Sequence, residues 1–189
     1  MCDLTDFLTA HPKSRKIRAL NESELSDLSN HKVPSDILDF LSNEGISTYQ
    51  NDFFCTTLPQ EHFQTLSDWG LKGETCYVFL KTAFGSLCFL HKGKVFQLDP
   101  FYGYLYKGRF PFCEFMNLLA PMDSFMEGCY FDIYQKMKNK QTLAPDEIFA
   151  LVPALPLGGS LETSHVEVVK MREHLGFLAQ LFDNKTTNP

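Results

Sequence analysis

The sequence lacks any cysteine or histidine spacing that is typical of a metal site. Its six cysteines, at positions 2, 55, 76, 88, 113 and 129, include no C-x-x-C pair. None of its six histidines lies three or four residues from another. No helix would therefore present two imidazoles on one face. The sequence predicts no metal and no other cofactor.

Common catalytic and nucleotide-binding motifs are also missing. There is no P-loop, no G-x-G-x-x-G and no G-x-S-x-G. Gly158-Gly159 is a glycine-rich turn, but the lysine and hydroxyl residue of a phosphate loop do not follow it. We expect a protein that binds a partner and is not an enzyme. A cysteine–histidine nucleophile pair assembled from distant segments is the alternative.

Long hydrophobic runs are absent too. No apolar run approaches the length of a transmembrane helix, and the N-terminus has no basic segment followed by an apolar one. Several cysteines lie within apolar stretches, as Cys76 does before Tyr77 and Val78. We therefore expect buried free thiols in place of three disulfides, and a cytoplasmic location.

Positive charge is in short supply. The chain has 17 Lys and Arg against 23 Asp and Glu, a net charge of −6. This balance disfavours membranes and nucleic acid as partners. The one nucleic-acid role that stays open is autoregulation, in which the protein would bind its own operon. Between Leu20 and Asp52, seven acidic residues and one lysine give −6 over that stretch alone. A solvated surface and a binding site for a basic protein both fit this stretch. A short basic cluster precedes it: Lys13, Arg15, Lys16 and Arg18.

Apolar residues are plentiful, at 44% of 189 residues with 18 phenylalanines, which is enough for a folded core. The strand patterns lie at Thr75–Leu80, Phe84–His91, Lys94–Leu98 and Tyr102–Tyr106. Lys92-Gly93 has the length and the glycine of a tight hairpin turn. The middle of the chain therefore predicts an antiparallel sheet of about four to five strands.

Helical patterns flank this region. They cover about 3–10, 34–44, 59–68, 111–119, 122–137 and 171–182. Pro145 is expected to open one more short helix, and residues 21–29 are interpreted as a loop or a frayed helix. The prediction is an α+β fold in which helices flank an antiparallel sheet and the C-terminal part is helical. Two domains, 1–110 and 111–189, either share one core or fold separately.

Two segments resemble known families. Val33–Tyr49, a proline-led helix that ends at Gly45, followed by Phe53-Phe54, resembles the opening of GAD-like domains and, more loosely, of SMI1/KNR4-like proteins. Near the C-terminus, Leu143–Gly159 contains the string Pro-Ala-Leu-Pro-Leu-Gly-Gly, and Glu173-His174-Leu175 follows. This second segment is similar to the C-terminal domain of type VI secretion DNase immunity proteins.

The resemblance implies a GAD-like α+β domain over 1–110 and a helical immunity-type domain over 111–189. It also implies a partner, a cognate type VI secretion toxin with DNase activity, which is neutralised in a tight complex in the cytoplasm. A DNase presents positive charge to its substrate, so an acidic inhibitor surface would compete for that charge. The alternative is a non-catalytic ligand- or protein-binding regulatory module of the same superfamily.

Two groups of candidate residues follow. The candidate partner-binding residues, predicted to be exposed, are Asp36, Asp39, Glu44, Tyr49, Asp52, Asp123, Glu127 and Asp132. The motif residues predicted to serve backbone geometry are Pro34, Gly45, Pro153, Gly158 and Gly159. The sequence leaves the oligomeric state open.

Overall fold

An antiparallel sheet of seven strands forms the centre of the protein. The structure, a computed structural model, describes residues 2–120, 123–137 and 142–182. In these residues the strands of the main sheet are β1 (Lys13–Arg18), β2 (Ile46–Tyr49), β3 (Phe54–Thr56), β4 (Tyr77–Thr82), β5 (Leu87–His91), β6 (Lys94–Asp99) and β7 (Tyr104–Lys107). Each strand pairs antiparallel with the next along the chain. The sheet is therefore a meander, as the hairpin pattern predicts.

The expected strand count was too low. The sequence patterns identify β4 to β7 but miss the first three strands. All residues of β1 are exposed, so its sequence has no alternation of apolar and polar residues. β2 and β3 have only four and three residues, which is too short for a period to show.

Helices cover both faces of the sheet. Within the described ranges they are α1 (Thr5–Ala10), α2 (Glu22–Asn30), α3 (Ser35–Glu44), α4 (Phe63–Asp68), α5 (Phe112–Leu119), α6 (Asp123–Gly128), α7 (Phe131–Met137) and α8 (Met171–Leu181). Residues 21–29, interpreted as a loop or frayed helix, form most of α2. Its N-terminus is a capping box, in which the Asn21 side chain accepts from the Glu24 amide and the Glu24 carboxylate accepts from the Asn21 amide.

The predicted helix over 122–137 is interrupted. α6 ends at Gly128 and α7 begins at Phe131, with Tyr130 between them at φ +66°. The Tyr130 hydroxyl donates a hydrogen bond of 2.8 Å to the buried carboxylate of Asp99, and burial raises the pKa of that carboxyl. The apolar period continues across the break, so the sequence could not show it.

A second, two-stranded sheet replaces the helix expected after Pro145. Its strands are β8 (Glu147–Leu151) and β9 (Val166–Lys170), which pair antiparallel. The last four residues of β8 are buried, and the Phe149 amide donates to the Ala83 carbonyl at 2.9 Å. The C-terminal part is therefore mixed and not purely helical, because a continuous apolar run this short fits a buried strand as well as a helix.

Two hydrophobic clusters occupy opposite faces of the main sheet. Alternate residues of β5 supply both: Cys88 and Leu90 enter one cluster, and Leu87 and Phe89 enter the other. Each cluster contains residues from both sides of position 110. The division into domains 1–110 and 111–189 stays a prediction.

The cysteines depart from the expectation of free thiols. Cys2 and Cys113 form a disulfide, whereas Cys55, Cys76, Cys88 and Cys129 are free. The pair is 111 residues apart in sequence, but α1 packs against α5 and brings the two Cα atoms to 5.6 Å. This proximity is tertiary, so no sequence spacing could show it. Separately, no helix in the described part of the chain is long and apolar enough to cross a membrane.

Candidate partner-binding surface

The basic cluster of β1 lies directly against part of the acidic stretch. β1 pairs with β2, which follows α3 at once, so cations and carboxylates from the two segments meet. Two ion pairs result, Lys13–Glu44 at 2.6 Å and Arg15–Asp52 at 3.2 Å, and a local third pair joins Arg18 to Glu24 on α2 at 2.7 Å. The stretch is consequently less negative in the folded protein than its sequence indicates.

This pairing affects two candidate residues. Glu44 also accepts a hydrogen bond from the Tyr49 hydroxyl, and Asp52 accepts one from the Thr48 hydroxyl. A basic partner would have to compete with Lys13 and Arg15 for these carboxylates. Surface ion pairs contribute about 0–1 kcal/mol each, so the competition is possible but weakens the attraction.

Tyr49 lies inside the protein. Its side chain is fully buried, its ring contacts Phe7, and burial together with the Glu44 hydrogen bond raises the pKa of its hydroxyl. In this conformation it offers no surface to a partner. The sequence prediction of an exposed aromatic failed here because β2 is buried on both faces.

Asp36 and Asp39 lie on the outer side of α3. Asp36 is half-buried and Asp39 is exposed. Three residues apart, they share a helix face and repel each other mildly. Neither carboxylate forms an ion pair with any residue that the structure describes. Their charge is therefore available to a partner.

These two residues belong to a larger acidic surface. α5 packs against α1 and α3, and three adjoining depressions of about 390, 390 and 840 Å³ lie along these helices. Six acidic residues line them: Asp3, Asp6, Asp36, Asp39, Glu44 and Glu114. No Lys, Arg or His lines them within the described ranges. We call these six residues the acidic face.

Apolar side chains lie within the same surface. Leu8 is 37% exposed and Phe110 is 41% exposed, and each lines one of the depressions. Apolar anchors among charges are typical of protein interfaces. Sequence reasoning missed Asp3, Asp6 and Glu114 because only packing brings α5 and α1, with the residues just before α1, beside α3.

The remaining acidic candidates lie elsewhere. Glu127 on α6 and Asp132 on α7 are exposed but line none of the three depressions. The side chain of Asp123 lies outside the described residues. The structure therefore brings together Asp36, Asp39 and Glu44, and it separates Glu127 and Asp132 from them.

The motif residues occupy turns. Pro34 precedes the first residue of α3, and Gly45 follows its last residue at φ +65°, where an added Cβ would lie 2.3 Å from the Arg18 carbonyl oxygen. Pro153 follows β8, and Gly158 ends a short 3-10 helix (Leu155–Leu157) in the left-handed region. The role of these residues in backbone geometry stays a prediction.

Gly159 provides a test of that role. A Cβ at this position would lie 1.8 Å from the Pro153 carbonyl oxygen. We expect Gly159→Ala to lower the free energy of unfolding by about 1–3 kcal/mol, the usual cost of overpacking. Gly128→Ala is the control, since a Cβ there meets nothing within 4 Å. Equal stability of the two variants in urea titrations would contradict the assignment.

One cysteine lies in contact with a histidine: Cys76 Sγ is 3.4 Å from His91 Nδ1, and burial raises the pKa of the Cys76 thiol to about 11. A cleft on the other side of β1 contains another cysteine and histidine, Cys55 and His62. Two cavities of about 460 and 480 Å³ adjoin here, and both are lined by Cys55 and Lys81. Burial raises the pKa of the Cys55 thiol and lowers that of His62 to about 3. A catalytic pair needs a thiolate beside an imidazolium, so both shifts oppose this chemistry. No group of His, Cys, Asp or Glu in the described residues is arranged to hold a metal ion.

His62 should make stability depend on pH. The unfolded chain protonates it near pH 6.5, whereas the folded chain does so only near 3. Acidification from pH 6.5 towards 3 should therefore lower the free energy of unfolding by about 1.4 kcal/mol per pH unit for this proton. Burial also lowers the pKa of His11 and His174, so they add to this loss of stability on acidification. Burial raises the pKa of Asp99, which therefore contributes in the opposite direction. In urea titrations at pH 7, 6 and 5, the free energy of unfolding should fall less steeply with decreasing pH for His62→Gln than for the unaltered chain. An identical pH dependence in the two proteins would contradict this.

Comparisons with known proteins found a similar fold and a matching family domain. The crystal structure of Atu4351 from Agrobacterium tumefaciens is similar, with a TM-score of 0.73 and 15% sequence identity, over 94% of this chain and 89% of that chain. At this identity the likeness concerns the fold alone. No curated protein matches the chain. Residues 112–182 match the family model of the C-terminal domain of the T6SS immunity protein Tdi1, so this part of the chain is similar to a type VI secretion immunity domain.

Proposed function

We propose that this chain is an immunity protein that binds and neutralises a cognate type VI secretion toxin. The observation that carries the proposal is the match of residues 112–182 to an immunity-protein domain. It agrees with the resemblance of Leu143–Gly159 to the same kind of domain. The N-terminal part, 1–110, would be the GAD-like domain, packed with 111–189 around shared clusters.

The acidic face is the surface that we propose for toxin binding. Five of its six carboxylates form no ion pair with a described residue, whereas Glu44 pairs with Lys13. The exposed apolar side chains of Leu8 and Phe110 lie in the same surface. A toxin that cuts DNA carries a basic surface for its substrate. Complementary charge would speed its association with the inhibitor and would oppose DNA binding.

α5 connects this surface to the segment that matches the immunity domain. The Asn117 side-chain amide donates to the Asp3 carbonyl at 2.7 Å, and the His11 Nε2 lies 3.2 Å from the Leu119 carbonyl oxygen. The start of the matched segment thus positions α1. A toxin bound at the acidic face would contact both parts of the chain.

The proposed mechanism needs no catalysis and no cofactor. The complex would form in the cytoplasm of the producing cell, where an injected toxin acts. A reducing cytoplasm would keep Cys2 and Cys113 as thiols, so the proposal requires that α1 and α5 stay packed without their disulfide. The Asn117 and His11 contacts hold the same helices together.

Co-purification with the product of the neighbouring gene tests the function. The chain and this product should form a stable one-to-one complex, and expression of the chain should restore growth of cells that produce the toxin. A chain with Asp36→Lys and Asp39→Lys serves as the matched loss-of-binding variant. If neither a complex nor rescue is observed, the chain would share only its fold with immunity proteins, and the regulatory-module alternative would be favoured.

A further inference from the structure

The cleft beside β1 contains a buried cation that has no anionic partner among the described residues. Lys81 on β4 is 7% exposed, and its Nζ donates to the Pro145 carbonyl at 2.6 Å and lies 3.7 Å from the Met171 sulfur. No described carboxylate lies within ion-pair distance of it. Burying an unpaired charge is costly, so such a charge usually has a counter-ion.

Nearby acids are occupied by other groups. Asp146 pairs with Lys170 at 2.8 Å, and Glu61 accepts a hydrogen bond of 2.9 Å from the Thr57 hydroxyl. Both raise the pKa of Lys81 through space, but burial dominates and lowers it. The ammonium group therefore lies between the two cavities, and no described carboxylate neutralises its charge.

Two more polar atoms in this place have no partner. The His62 Nδ1 and the Thr65 hydroxyl are buried, form no hydrogen bond in the described structure, and belong to residues that line the 480 Å³ cavity with Lys81. Buried polar atoms normally have a hydrogen-bond partner, so an ordered water or a ligand in the cavity would supply one to these two atoms.

The hydrogen-bond network assigns the tautomer of His62. The single hydroxyl proton of Thr57 goes to Glu61, so Thr57 Oγ1 must accept from His62 Nε2–H, which lies 2.7 Å away. The neutral ring then has its lone pair on Nδ1. That atom needs a donor from whatever fills the cavity.

We propose that this cavity binds a small organic carboxylate that also carries a hydroxyl or amino donor. The carboxylate accepts from Lys81 Nζ, the donor reaches His62 Nδ1, and the apolar body lies against Ile17, Ile46 and Met171. A volume of about 480 Å³ suits a ligand of this size. Among the Lys and Arg side chains of the lining, only Lys81 lacks a described ion-pair partner, so one carboxylate matches the open charge. The lining holds three acids and three such bases: Glu61, Asp146, Glu173, Arg18, Arg172 and Lys81.

The test uses 3- and 4-hydroxybenzoate as probes, with the corresponding hydroxybenzamides as neutral controls. Because Met171 touches Lys81, the 13C-methyl NMR signal of Met171 reports binding, and the chain has only six methionines to assign. At least one acid should shift this signal to saturation at millimolar concentration. The affinity for the corresponding amide should be lower by about tenfold or more, which is the usual scale for losing a charged hydrogen bond.

Variants locate the site. Lys81→Gln should weaken binding of the same acid about tenfold or more, whereas Lys94→Gln, an exposed lysine on β6, should leave it unchanged. An unchanged Met171 methyl chemical shift with both acids would overturn the proposal, and so would equal affinity for acid and amide. The comparison of acid with amide uses the unaltered chain, so it decides the matter even if Lys81→Gln fails to fold.

Discussion

Replacement of Asp36 and Asp39 by lysine should weaken the proposed toxin binding about tenfold or more, mainly through slower association at low salt. The physical reason is the loss of two carboxylates that form no ion pair with any described residue, in a surface whose lining contains no described Lys, Arg or His. The measurement is the association rate and the dissociation constant with the purified toxin at two salt concentrations. Growth rescue should fall in parallel.

The control for this experiment changes the net charge equally but elsewhere. Glu127→Lys with Asp132→Lys alters two exposed carboxylates that lie outside the acidic face. This pair should have a much smaller effect on affinity. Equal effects of the two double variants would mean that only net charge matters, and no effect from either would exclude an acidic interface.

Replacement of Leu175 by alanine should lower the free energy of unfolding by about 2–5 kcal/mol. Leu175 on α8 is fully buried in the cluster that contains Trp69, whose indole N–H donates to the Leu175 carbonyl at 3.1 Å. Trp69 is the chain's one tryptophan, so its fluorescence reports this contact directly. Urea titrations followed by fluorescence and by far-UV circular dichroism would measure the loss.

The same titrations test whether 1–110 and 111–189 share one core. Coincident transitions in the two signals would indicate a single cooperative unit. A fluorescence change at lower urea would mean that the C-terminal part separates first. Phe177→Ala on the same helix is the control: this side chain is 43% exposed, and its loss should change stability by about 0.5 kcal/mol or less.

The elements with strong local patterns were predictable. Strands β4 to β7 have apolar runs and a glycine turn, and α5 and α8 have clear apolar stripes, so their types followed from period alone. β8 and the break at Tyr130 did not, because a short apolar run fits either structure and the break leaves the apolar stripe intact. β1 was missed because all its residues are exposed.

The candidate site was predictable only in part. Asp36 and Asp39 were identified from charge, and the structure places them on an acidic surface. Glu44 and Asp52 were identified by the same reasoning, but β1 brings Lys13 and Arg15 against them. Tyr49 was expected at the surface and is fully buried.

Local sequence patterns were enough to identify the α+β class, the central antiparallel strands, the absence of common catalytic motifs and the resemblance of the C-terminal part to immunity proteins. Folding establishes which charges neutralise each other, how α1, α3 and α5 form one acidic surface, and that Lys81 lies beside a cavity with no described carboxylate in ion-pair distance. The reason is physical. Periodicity and turn chemistry act between neighbours in the chain, whereas burial and the effect of a charge depend on every residue that folding brings close.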